Sequence, residues 1–291
     1  MGYGFKGEKG KYMQGKLYLC ATPIGNLEDI TFRVLRILKE VDLIAAEDTR
    51  HSIQLLNYFE IKTPMTSYHE YNKIEKAKYL VKQIQEGKTI ALVTDAGTPA
   101  ISDPGEELVR QCYQAGIEVT SLPGPAACIT ALTLSGLSTR RFAFEAFLPA
   151  EKKERKRILE ELQKETRTIL IYEAPHHLVK TIIELKGALG ERQITLCKEL
   201  TKKYESAWQT TFSAALEYFE KEAPRGEYVL VIEGRDPEDF QKEKQQEWQQ
   251  MSVEEHIAYY EQQGIERKEA MRLAAKDRGT SKREIYQMLI K

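Results

Sequence analysis

Twelve consecutive residues, Thr94-Asp95-Ala96-Gly97-Thr98-Pro99-Ala100-Ile101-Ser102-Asp103-Pro104-Gly105, carry the strongest chemical signal in the chain. They follow the apolar run Thr89 to Val93, which reads as a buried strand. Two glycines and two prolines let the backbone turn tightly and approach a bound molecule closely. The carboxyl end of a strand is where open α/β sheets bind ligands. The stretch contains neither G-x-x-x-x-G-K-[ST] nor G-x-G-x-x-G, so the expected guest is a cofactor other than a nucleoside triphosphate or dinucleotide.

Charged groups cluster at the ends of other apolar runs. Glu47, Asp48 and Arg50 directly follow one of them, and Glu173, Lys198, Glu199 and Lys202 follow two more. Such carboxylates and ammonium groups on a binding edge suit proton transfer at a positioned substrate. Each also has a plain structural reading as an ion pair, and Asp48 with Arg50 suits the cap of a helix beginning near Ser52. His176, beside Pro175, is read first as a local hydrogen-bonder.

The elements that must position these groups alternate along the chain. Strand-like runs at Leu17 to Ala21, Leu43 to Ala46, Thr89 to Val93 and Glu118 to Leu122 are separated by amphipathic stretches such as Ile30 to Lys39 and Ile74 to Gln85. Each run ends in turn or charge chemistry, so four loops are expected on one sheet edge. A second, mixed α/β half runs through Arg141 to Phe147, Thr168 to Tyr172, Gln193 to Cys197 and Tyr228 to Glu233, with a helix from Lys153 to Gln163. The charged, Gln-rich stretch 235–250 reads as a linker. The expected organisation is therefore a flexible extension (1–15), two α/β domains (16–136 and 137–234), the linker, and a helical module (251–291). Met13, shortly before the first strand, is a second candidate initiator.

In that module Ser252 with Glu255 and Ser281 with Glu284 have capping-box spacing, and Glu266 to Lys276 is helix-favouring. Three short helices follow, the last two joined by Asp277-Arg278-Gly279-Thr280, a turn of helix-turn-helix length. Arg267, Lys268, Arg272, Lys276, Arg278, Lys282 and Arg283 concentrate positive charge there, as Lys153, Arg155 and Arg157 do on the earlier helix. Both segments read as phosphate contacts or as solvated helix faces. The formal net charge of −1 means that a nucleic-acid partner must be met by such local patches. Cys20, Cys112, Cys128 and Cys197 are widely spaced and read as buried thiols, and no metal-ligand cluster is recognisable. No run of about 18 apolar residues occurs, which points to a soluble, cytoplasmic protein without a membrane partner.

Taken in order, Ala21-Thr22-Pro23-Ile24-Gly25-Asn26-Leu27, Glu47-Asp48-Thr49-Arg50, Thr94-Asp95-Ala96-Gly97-Thr98-Pro99, Pro123-Gly124-Pro125, Tyr172-Glu173-Ala174-Pro175-His176, Cys197-Lys198-Glu199-Leu200-Thr201-Lys202 and Gly226-Glu227-Tyr228 resemble the small-subunit ribosomal RNA methyltransferase I group of the tetrapyrrole methylase superfamily. The resemblance spans about residues 16 to 291. It implies two α/β domains with the cofactor cleft between them, S-adenosyl-L-methionine as cofactor, and a homodimer. The implied product is a 2′-O-methylated cytidine in the decoding region of 16S ribosomal RNA, formed on free RNA or on the small subunit.

The resemblance maps the cofactor pocket onto Ile24, Gly97, Thr98, Pro99, Ile101, Ser102, Ala126, Ala127, Tyr172, Leu200 and Tyr228, with core packing as the alternative for Ala126 and Ala127. The candidates for helping to deprotonate the ribose hydroxyl are Asp48, Arg50, Glu173, Lys198 and Glu199. General-base help is typically about 10²- to 10⁴-fold, roughly 3 to 5 kcal/mol, whereas orientation supplies about 7 to 11 kcal/mol, so positioning is expected to dominate. The first loop, Thr22 to Asn26, offers fewer glycines than that of the tetrapyrrole enzymes, which favours RNA over a porphyrinoid. The rival readings are a precorrin or uroporphyrinogen methyltransferase, which has no use for a basic tail, and a non-enzymatic RNA-binding sensor of S-adenosylmethionine.

Overall fold

The computed structural model describes residues 15–236, 238 and 248–290. Residues 1–14 of the expected extension and 237 and 239–247 of the expected linker lie outside the described residues. The first sheet is assembled from β1 (Lys16–Cys20), β2 (Leu43–Ala46), β3 (Met65–Ser67), β4 (Ile90–Val93) and β5 (Glu118–Leu122), in the order β3-β2-β4-β1-β5. All four pairings are parallel. The ends of β1, β2, β4 and β5 therefore share one edge, as the loop chemistry required.

Helices α1 (Phe32–Glu40), α2 (Thr49–Tyr58), α3 (Lys73–Gln85), α4 (Gly105–Gln114) and α5 (Ala127–Leu134) connect these strands and lead out of β5. Crossovers that cover both faces explain why β4 reads as an unbroken apolar run: all four of its residues are buried. Two clusters fill the faces, one with Val34, Ile37, Leu38 and Ile44, the other with Leu80, Ile84, Ile90 and Leu108. The α1 stripe is positioned by Thr31, whose hydroxyl accepts the Val34 N–H at 3.2 Å.

The second sheet contains β6 (Phe142–Phe147), β7 (Thr168–Glu173), β8 (Gln193–Lys198), β9 (Ser206–Thr211) and β10 (Tyr228–Ile232), in the order β6-β7-β10-β8-β9. Only β6 and β7 pair in parallel; β10 runs antiparallel to β7 and β8, and β9 antiparallel to β8. Consequently the end of β7, the start of β10 and the end of β8 lie together, with Tyr228 registered between Glu173 and Lys198. Helices α6 (Lys152–Leu162), α7 (Pro175–Leu189) and α8 (Phe212–Phe219) complete this half.

Two strands escape the sequence signals. β3 is three half-buried residues, too short for a periodic pattern. β9 is an edge strand of Ser, Ala, Trp, Gln and Thr with no buried residue, so it lacks the apolar run that marks its neighbours.

The carboxyl-terminal helices are α9 (Val253–Glu261), α10 (Arg267–Asp277) and α11 (Lys282–Ile290). Ser252 and Glu255 form a complete capping box. The Glu284 carboxylate accepts the Ser281 N–H at 2.7 Å, and the Ser281 hydroxyl accepts the Glu284 N–H at 3.2 Å. Gly279 takes the left-handed φ of 64° that the turn requires. Ile257, Ala270, Ala274 and Ile285 form the small core of this module. All four cysteines are buried and free.

Candidate active site

An apolar cleft with a cavity volume of ≈ 280 Å³ opens where the loops of the two sheets meet. The first sheet contributes Ile24, Ala96, Gly97, Thr98, Ile101, Ala126 and Ala127, and the second contributes Phe147, Tyr172, Glu173, Leu200, Lys202 and Tyr228. Nine of the eleven expected cofactor residues line it; Pro99 and Ser102 do not. These two instead belong to the turn that carries Thr98 and Ile101.

That turn is built around one carboxylate. Asp103 accepts the N–H groups of Ala100 at 3.0 Å, Ile101 at 3.3 Å and Gly105 at 2.7 Å. This explains how Ala100 and Ser102 are held at φ 66° and 63°, where residues with a Cβ are disfavoured. The buried Tyr68 hydroxyl donates to Pro104 O at 2.8 Å and anchors the same loop from below. The Thr98 hydroxyl donates to Pro125 O at 2.8 Å, tying the loop to the turn after β5. Neither Asp103 nor Tyr68 was identifiable from the sequence as a positioning group, because their role lies in loop hydrogen bonds with no spacing signature.

On the opposite wall, a Cβ on Gly25 would meet Lys202 Cγ at 2.4 Å and Thr201 Oγ1 at 2.9 Å, so only glycine lets the first loop touch the loop after β8. The Lys202 ammonium reaches Glu227 at 2.8 Å and Glu199 at 3.0 Å. Partial burial alone depresses its pKa, yet hydrogen bonds to Glu227 and Glu199 hold it above the ordinary lysine value. The Glu199 carboxyl is held low, chiefly by the Glu227 N–H that it accepts at 2.9 Å. Lys202 and Glu227 thus join the cleft wall, whereas Glu199 stands behind them and Lys198 does not line the cleft. The Tyr172 hydroxyl accepts the Cys128 N–H at 3.0 Å, which locks its ring across the two halves, and burial pushes its pKa up.

The candidate proton-transfer groups separate clearly. Glu173 lines the cleft at 6% exposure, with its oxygens accepting the Ala174 N–H at 2.8 Å and the Thr181 hydroxyl at 2.5 Å. Asp48 and Arg50 lie outside the cleft lining. Asp48 is the N-cap of α2, accepting the Arg50 N–H at 2.8 Å, and it pairs with the Arg50 guanidinium at 2.8 Å. The Arg50 side-chain and backbone hydrogen bonds bring the Asp48 carboxyl down to about 2, which makes it a weak base.

The basic candidates divide in the same way. Arg155 is turned inward: its guanidinium binds Glu184 at 2.6 Å and the Thr181 hydroxyl at 2.7 Å, with the side chain only 14% exposed. The expectation of an RNA contact at Arg155 is therefore corrected, because its donors are consumed in fastening α6 to α7. Lys153 remains exposed and Arg157 pairs only loosely with Glu161 at 3.8 Å. In the module Arg267 pairs with Glu261 and Arg272 with Glu269, while Lys268, Lys282 and Arg283 are exposed without an ion pair among the described residues.

Two sheets whose loops close one apolar cleft define the architecture of the tetrapyrrole methylases, and the family model of the tetrapyrrole (corrin/porphyrin) methylases matches residues 16–216. Solved structures agree in fold: a diphthine synthase superposes with TM-score 0.61 at 12% identity, covering 75% of this chain and 90% of that one. A Thermus thermophilus uroporphyrin-III C-methyltransferase complexed with S-adenyl homocysteine gives TM-score 0.53 at 18% identity, covering 75% and 97%. Much nearer in sequence are proteins named ribosomal RNA small subunit methyltransferase I. That of Halalkalibacterium halodurans is 46% identical over 94% of both chains, and that of Bacillus subtilis is 46% identical over 95% of this chain and 94% of its own. The chain belongs to the ribosomal RNA small subunit methyltransferase I group of the tetrapyrrole methylase family.

Proposed function

We propose that this protein transfers the methyl group of S-adenosylmethionine to the 2′ oxygen of a cytidine ribose in the decoding region of small-subunit ribosomal RNA, acting in the cytoplasm as a homodimer. The observation that carries this reading is the cleft itself, walled by small and apolar residues from both sheets and rimmed by charge on one side only. The lining suits the cofactor: Ile24, Ala126, Ala127 and Leu200 offer apolar surface to an adenosine, and Gly97 lets the main chain approach it. When bound, the cofactor supplies an electrophilic methyl group, so the protein's work is to bind, orient and manage one proton.

Glu173 is the group assigned to receive the ribose hydroxyl proton, since it is the only one of the five candidates that lines the cleft. Lys202 is held charged at the same rim by Glu199 and Glu227, which fixes the loop after β8 against the start of β10. Lys153, Arg157, Lys268, Lys282 and Arg283 supply phosphate contacts away from the cleft. The apolar helix α5, with Ile129 and Leu134 exposed, is suited to a second copy of the chain. Residues 16–136 and 137–234 act as the two α/β domains, and 251–291 as an RNA-binding module.

The test is incubation of the purified protein with tritiated S-adenosylmethionine and small subunits lacking the mark, alongside the free RNA, followed by mapping of the modified ribose. Label at the 2′ oxygen of a decoding-region cytidine is expected. Label absent from RNA, or found on a base, overturns the proposal.

A further inference from the structure

The strand β6 contains an irregularity that re-aims one aromatic ring. Phe144 is registered with Leu170 and Phe147 with Tyr172, so three steps along β6 match two along β7. The extra residue is accommodated with Ala146 at φ 52°, a conformation unfavourable for a residue with a Cβ. In a regular strand, side chains three positions apart point to opposite faces. The bulge cancels that alternation. Both rings pack edge-on against Tyr172, Phe144 at a centroid distance of 5.0 Å and Phe147 at 5.6 Å. Tyr172 cannot yield, because its hydroxyl is tied to the Cys128 N–H.

The outcome is unusual for a phenylalanine. Phe147 lines the cleft yet remains 57% exposed, while Leu200 and Tyr228 in the same lining are buried. Strained backbone and a displaced register therefore serve to present an apolar ring to solvent beside a ligand site. An RNA ribose can enter such a cleft only if its nucleotide leaves the stack of its neighbours, and the base then needs a replacement surface. Aromatic side chains provide that surface.

We infer that Phe147, at the exposed rim of the cleft, is the stacking platform for the base of the target nucleotide. The inference rests on the RNA-methylating reading above. It is tested with Phe147→Ala and Phe147→Trp in the full chain, measuring RNA methylation kinetics and, separately, S-adenosylmethionine affinity by calorimetry. Phe147→Ala lowers kcat/KM for RNA by about five- to a hundredfold, the range that loss of one base stack produces, with cofactor affinity unchanged. Phe147→Trp restores most of the rate, since an indole also stacks. Wild-type kcat/KM in Phe147→Ala, a defect fully accounted for by weaker cofactor binding, or failure of tryptophan to rescue each overturns the inference while leaving RNA methylation intact. If the wild-type protein places no methyl on RNA, the functional reading itself fails and this subsite with it.

Discussion

The main chains of Thr22 and Gly97 exchange two hydrogen bonds, Thr22 N–H to Gly97 O at 2.9 Å and Gly97 N–H to Thr22 O at 3.1 Å. This isolated bridge joins the loops after β1 and β4, so the wall of the cleft is one hydrogen-bonded unit rather than two independent turns. Gly97 stands at φ 87°, and a Cβ there would lie 3.3 Å from Ile24 Cγ2, a cleft residue.

Gly97→Val therefore strains the bridge and crowds Ile24 together. Cofactor binding should fall below detection in isothermal titration with S-adenosylmethionine, while circular dichroism still reports a folded chain. Unchanged affinity would remove Gly97 from the pocket.

The Asp103 carboxylate is the feature that holds the next turn in shape. Hydrogen bonds to a charged acceptor contribute about 1.5 to 3 kcal/mol each. Asp103→Ala releases three amides and should weaken S-adenosylmethionine binding by at least about tenfold. The result to look for is a large change in cofactor affinity with a small change in KM for RNA; a proportional loss of both would point to general unfolding instead.

Glu173 and Asp48 make opposite predictions despite equal billing in the sequence. Glu173→Gln should lower kcat by about 10²-fold or more with cofactor affinity retained. Asp48→Asn keeps a side-chain acceptor for the Arg50 N–H and should retain measurable activity, its main cost falling on α2. Single-turnover rates for the two variants separate these roles, and equal losses would show that the capping site also serves the reaction.

Acid stability should depend on Glu165. Its hydrogen bonds to the Arg167 guanidinium lower its pKa to about 2. A carboxyl depressed in the folded state stabilises the protein above its unfolded pKa of about 4.3, and that contribution is lost as the pH falls toward 2. Urea denaturation should therefore show Glu165→Gln less stable than wild type at pH 7, with the gap narrowing between pH 5 and pH 3. A gap independent of pH would mean that the ion pair is not its source.

Of the three basic candidates on α6, Lys153 and Arg157 face outward. Reversal at Lys153 and Arg157 should weaken RNA association and flatten the slope of log K against log salt by about two units. Reversal at Arg155 should instead destabilise the fold, since it would set a carboxylate against Glu184 and beside the buried Thr181 hydroxyl. An unchanged salt slope in the double variant would remove α6 from the RNA interface.

Much of this was written locally. Apolar runs of four to six residues, largely buried, announce β2, β4 and the central strands of the second sheet. Gly, Pro and charged residues announce the loops that follow them, and capping-box spacing fixes the starts of α9 and α11, because these signals depend on near neighbours only. What tertiary structure decided is everything that depends on register and on which segments meet. The bulge at Ala146 turned Phe147 into the cleft, the cap and ion pair removed Asp48 from it, and Arg155 was drawn inward by Glu184. Lys202 gained its role from Glu199 and from Glu227, 25 residues away in sequence. Local composition sets which groups are available at a strand end; only the pairing of distant segments sets which of them face a guest.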